Sequence, residues 1–223
     1  KALDTLMLSD RYMLHVQLQY GPRLRQGVNE VCAIAFPPDQ QTVMVADQST
    51  RAALWDTRSA AFLGDARWPA AALALGRSAG EPMLGALRDG SLVEITGDGR
   101  QPVVRLAARE NETWEAAAIS PDGLAAVWGL LAGKGRPSPR VRVWWAADGA
   151  TRDFDAERLS AVAAHGGTQR IALGLGNGYV RIIKPGHDFG VTVPLHQTRI
   201  TSLSFSADGR ALVTGKDAPK TLA

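Results

Sequence analysis

Residues 115–131 read EAAAISPDGLAAVWGLL, and residues 140–145 read RVRVWW. An apolar run ends at Ile119, a turn follows at Ser120-Pro121-Asp122-Gly123, and a second apolar run starts at Leu124. Proline presets φ in such a turn, aspartate bonds its own backbone, and glycine takes positive φ at no steric cost. The segment is expected to be a β-hairpin, with 140–145 as a third strand. An isolated hairpin is at best marginally stable in water, so the rest of the chain must supply partners for its faces.

The chain supplies them by repetition. Runs of the same kind, each followed by a turn, end at Phe36, Leu75, Ile119, Ala164 and Phe205, spaced 39, 44, 45 and 41 residues apart. A period of roughly 40 to 45 residues is that of a propeller blade. Second runs follow as TVMVAD, EPMLGAL, LAAVWGLL, RIALGLG and RALVTG, and third runs as RAALWD, SLVEIT, RVRVWW and YVRIIK. The last copy lacks a third run. No sustained helical spacing occurs, so the chain reads as nearly all-β, with Asp153 to Ser160 the one stretch that could form a helical turn. Asn177-Gly178 is expected to be a two-residue type I′ turn, and Arg88-Asp89-Gly90 fills the same place in its own copy.

Trp55-Asp56, closing the third run of RAALWDTRSA, together with the hairpins Ser120–Gly123 and Ser206–Arg210, resembles a WD40 repeat. The resemblance covers residues 28–223. It implies a single all-β domain over 1–223, a WD40-like β-propeller of four-stranded antiparallel blades with repeats near 28–67, 68–110, 111–157, 158–195 and 196–223. The repeats are degenerate: the other third runs end Glu94-Ile95, Trp144-Trp145 and Ile183-Lys184, and the family's usual Gly-His pair is missing. About five blades lie in this chain. The ring closes either through the N-terminal stretch 1–27, whose RYMLHVQLQY alternates as a half-buried strand completing the last blade, or through two further blades beyond Ala223 in a seven-bladed ring.

The function classes narrow by composition. The 223 residues carry 25 Lys+Arg and 22 Asp+Glu, a net charge of +3, and 45% are hydrophobic. That is a globular composition with no field strong enough to point to nucleic acid. No window approaches a membrane span, so direct membrane insertion is not expected. One cysteine, Cys32, suits a reducing compartment and leaves cytoplasm and periplasm both open. Cys32 sits among apolar neighbours and reads as a small core residue. The histidines, His15, His165, His187 and His196, have no ligand spacing; His165 and His196 are expected at turns or on the surface. No nucleophile motif or phosphate loop occurs, so no catalytic residue, metal or cofactor is expected.

In the architecture the resemblance implies, the lead-ins to the first strands and the second-to-third turns share one face. Asn29, Glu30, Arg88, Trp114, Asn177, His196 and Arg199 fall there. Glu30, Arg88, Trp114, Asn177 and Arg199 are the candidate binding residues, with Trp114 either an interface anchor or an aromatic packed between blades. Trp144 and Trp145 point to opposite faces of one strand, so one of them packs between blades. The insertion LAGKGRPSPR lengthens the third copy's hairpin, either as a binding loop or as a flexible excursion. The expected function is a non-catalytic protein-interaction scaffold or module of a larger assembly, with its protein partner unnamed. The alternative is an extracytoplasmic ligand-sensing domain of a bacterial membrane transport system of the ABC-permease type, tethered to its membrane protein.

Overall fold

The computed structural model describes residues 31–36, 41–59, 61–77, 83–95, 102–131, 138–184 and 190–217. Among them every regular element is a β-strand, and no helix is long and apolar enough to cross a membrane. The stretch RYMLHVQLQY and the candidate residues Asn29 and Glu30 lie outside the described residues.

Consecutive strands build five antiparallel sheets. The first holds β1 (Val31–Ala35), β2 (Thr42–Asp47), β3 (Arg51–Asp56) and β4 (Phe62–Arg67), and the second β5 (Ala72–Arg77), β6 (Met83–Leu87), β7 (Leu92–Ile95) and β8 (Val103–Leu106). The third holds β9 (Ala116–Ile119), β10 (Ala125–Leu130), β11 (Arg140–Trp145) and β12 (Thr151–Asp155). The fourth holds β13 (Leu159–His165), β14 (Arg170–Leu175), β15 (Tyr179–Ile183) and β16 (Val191–Pro194), and among the described residues the fifth holds β17 (Ile200–Phe205) and β18 (Leu212–Lys216).

Most of the core lies between sheets, and a further cluster, Val45, Ala53 and Trp55 with Ile34 and Phe62, covers a face of the first sheet. Met44, Ala46, Trp68, Ala72, Met83 and Leu87 fill the gap between the first and second. Leu84, Leu92, Trp114, Trp128 and Trp144 fill the next. Val141, Val143, Trp145, Leu159, Val162 and Leu173 fill the third gap, and Ala161, Ala172, Val180, Ile200 and Phe205 the fourth. The first strands β1, β5, β9, β13 and β17 pack against one another in that order. A sheet placed between two others is buried on both faces, which is why β13 reads as a continuous apolar run, LSAVAAH, and is buried at all seven positions. Trp144 and Trp145 split between the second and third gaps, as alternation along one strand requires.

Three local expectations need correcting. Asp153 to Ser160 contains no helical turn: it comprises the end of β12, a short link and the start of β13. At Asn177 only Gly178 has positive φ, at 86°, and its N–H bonds to the carbonyl of Leu175. This is a type I turn followed by a left-handed glycine, not a type I′ pair. His165, expected at a turn or on the surface, is buried, 4% exposed, at the end of β13 just before a turn. Its Nε2 donates to the Ala207 carbonyl at 3.0 Å, and its Nδ1 accepts from the Thr168 N–H at 3.2 Å. The ring thereby ties the fourth sheet's first hairpin to that of the fifth. Asp122 joins the tie from the third sheet, accepting from the Gly167 N–H at 2.7 Å. Burial pulls the Asp122 carboxyl upward, but its hydrogen bonds with Ser120 and with the Gly167, Leu124 and Gly166 backbone outweigh this and hold it below its ordinary value.

Candidate functional site

Each second strand ends where the next sheet's first strand begins, so their connections meet at one end of the molecule. The Trp114 N–H bonds to the Arg88 carbonyl at 2.8 Å, joining the β6–β7 turn to the lead-in of β9. The His196 N–H bonds to the Gly178 carbonyl at 3.0 Å, joining the β14–β15 turn to the lead-in of β17. Both turns need glycine for two reasons. Gly90 and Gly178 have φ of 83° and 86°, and a Cβ on Gly178 would sit 2.0 Å from the His196 carbonyl oxygen, while one on Gly90 would sit 2.7 Å from Trp114 Nε1.

At this end Arg88, Asn177 and Arg199 are exposed and His196 is half-buried, its Nε2 paired with Thr214 Oγ1 at 2.8 Å. Arg88 and Trp114 are brought together through backbone; Asn177 and Arg199 lie at the fourth and fifth sheets. Trp114 is wholly buried, 0% exposed. It is therefore the packing aromatic of the second gap and not an exposed anchor.

What surrounds Trp114 was not visible from motif or spacing. Arg142, in the middle of β11, is 1% exposed, and its guanidinium lies 4.9 Å from the Trp114 ring centroid. A buried guanidinium must be paired. Its Nε donates to Asp153 Oδ1 at 2.9 Å, its Nη2 to Asp153 Oδ2 at 2.8 Å and to Glu112 Oε1 at 2.9 Å, and its Nη1 to Glu112 Oε2. Arg140 stands 5.3 Å from the same ring and 3.5 Å from Glu112, and Arg109 donates to Asp153 at 2.9 Å and to Thr151 at 3.3 Å. Arg109 and Arg140 keep their side chains 54% and 40% exposed, so the buried pairings carry a cationic rim.

The electrostatics follow from these contacts. Burial alone would push the Arg142 guanidinium down, but the hydrogen bonds it donates to Asp153 and Glu112 outweigh that and hold it above its ordinary value. The same bonds from Arg142 keep the Glu112 and Asp153 carboxyls below theirs, against the opposing pull of burial. The signal in the sequence was an arginine between valines on a strand with two apolar faces, RVRVWW. Its partners, thirty residues upstream and eleven downstream, carry no such signal.

Among the described residues no group of three or more His, Cys, Asp or Glu side chains is placed to hold a metal ion. No protein-family model and no curated protein matches this chain. Any reading of its function rests on the residues themselves.

Proposed function

We propose that this chain is a degenerate WD40-like propeller acting as a non-catalytic protein-interaction module. The repeat period, the Ser-Pro-Asp-Gly and Ser-Ala-Asp-Gly hairpins, and the ordered packing of β1, β5, β9, β13 and β17 support the propeller reading. The observation that carries the interaction reading is the backbone tethering of two of these turns to the next lead-in, at Arg88–Trp114 and at Gly178–His196. It stiffens the surface that presents Arg88, Asn177, Arg199 and the rim arginines Arg109 and Arg140. A stiff surface loses little conformational entropy when a partner docks.

The test compares affinity capture by the wild-type chain with capture by an Arg88→Glu, Asn177→Arg, Arg199→Glu variant of unchanged melting temperature. A partner retained by the first and lost by the second is the expected result. Identical capture by both would remove this end of the molecule as the docking face.

A further inference from the structure

The third and fourth sheets carry the same arrangement in two states. Gly129 of β10 stands opposite Ala116 and Val141, and Gly174 of β14 stands opposite Ala161 and Val180. Laying Gly174 on Gly129 places Leu173 on Trp128, Arg181 on Arg142 and Glu157 on Glu112, and puts Leu159 where Trp114 stands. Across the outer strands Arg142 faces Asp153, and Arg181 faces Thr192. The copy around Arg142 is closed: two indoles fill it and two carboxylates hold the guanidinium.

In the copy around Arg181 both indoles are leucines and the outer carboxylate is a threonine hydroxyl. A cleft of about 660 Å³ opens there, lined by Leu173, Leu175, Arg181, Thr192 and Pro139, with the carboxylates Asp155 and Glu157 on its wall. That volume lies within the range of small-ligand sites. Arg181 makes no ion pair or side-chain hydrogen bond among the described residues, and neither does Glu157.

We propose that this cleft binds an aromatic carboxylate, a ligand that supplies what the fourth sheet lacks relative to the third. Its ring lies on the Leu173–Leu175 floor against the Arg181 guanidinium, as Trp114 lies against Arg142. Its carboxylate accepts from Arg181, as Asp153 accepts from Arg142. Thr192, about as large as an aspartate but uncharged, leaves Arg181 without the carboxylate that Asp153 offers Arg142 across the same pair of strands. The ligand is a free aromatic acid or the C-terminal aromatic residue of a peptide; both present this chemistry.

Titration by heteronuclear NMR with N-acetyl-tryptophan as the probe tests the proposal. Saturable shifts at β14–β16 are expected, with N-acetyl-tryptophan amide and N-acetyl-leucine each binding about tenfold more weakly, the loss of one charge-assisted pair or one stacked ring. Arg181→Gln, at an exposed position, should abolish binding with no change in melting temperature. Thr192→Asp, which closes the site internally as Asp153 does, should weaken it at least fivefold. Tighter binding of Gly-Gly-Trp than of N-acetyl-tryptophan assigns the cleft to a peptide terminus, and the reverse order to a free acid. Equal binding of the acid and its amide, or undiminished binding by Arg181→Gln, overturns the proposal.

Discussion

The fourth and fifth sheets begin alike and are finished differently. In the fourth, the row Ala161–Gly174 faces the fifth sheet, and Ile200 sits so close that a Cβ on Gly174 would be 2.6 Å from its Cγ2. In the fifth, the matching row is Ser202–Gly215, and the nearest atoms to such a Cβ belong to Ser202 and Thr201 of the same sheet. Ile200 is fully buried, whereas Thr201, Ser202 and Ser204 are exposed and Val213 is 69% exposed. In this pair, a neighbour on both faces, and not strand composition alone, separates the sheet with a continuous apolar reading from the one that alternates. Among the described residues the row of first strands runs from β1 to β17, and no substantial packing joins its two ends.

The comparison can be broken most forcefully at Ile200. Ile200→Ala should destabilise by about 2–5 kcal/mol in chemical denaturation, since it empties the fourth gap; a loss below 1 kcal/mol would mean that the fourth and fifth sheets do not share a core. Gly174→Ala should cost about 1–3 kcal/mol by forcing Ile200 aside. Combined with Ile200→Ala it should cost less than the sum, because the methyl then enters the space Ile200 vacated. Additive losses would show that the two positions do not touch.

Acid sharpens the comparison from the charged side. Glu112 and Asp153 have folded values held below their ordinary 4.5 and 3.8 by Arg142. Their contribution to stability is therefore complete above that ordinary range and is lost as the pH falls through the lower folded values. Melting temperature followed from pH 6 to pH 2 should drop through this window. In a Glu112→Gln, Asp153→Asn variant the drop should be shallower, and an unchanged slope would place the acid sensitivity elsewhere. The smallest effect belongs to Gly215→Ala. With only the rotatable Ser202 hydroxyl in its way, it should change stability by less than about 0.5 kcal/mol. A loss matching that of Gly174→Ala would reveal a cover over the fifth sheet's outer face.

Much of this was legible before folding. The first two strands of each copy, and the third of four copies, follow from short apolar runs bounded by turn residues such as Asp-Gly and Asn-Gly, and among the described residues the last copy's sheet has two strands. The fourth strands were not legible. FLGDAR, VVRL, TRDFD and VTVP are short outer strands of mixed or polar character, and Val103, Val104 and Val191 on them stay exposed. Only pairing to a buried third strand makes such segments extended. For Trp114 the sequence left an interface anchor and a packed aromatic both open, and the burial of His165 at the end of β13 was not legible, since either position reads as surface unless the neighbouring sheet that covers it is known.

The order of strands and turns was written in local chemistry, because backbone preference and alternation act over a few residues. Which faces are covered was settled only in the assembled fold. Burial depends on what lies across a gap, and for Arg142 that means Glu112 thirty residues before it, while for Arg181 it means an open cleft. The same guanidinium on the same strand position is a sealed structural group in one sheet and an exposed candidate ligand contact in the next. The difference comes from two indoles and one carboxylate brought by a neighbouring lead-in and by other strands.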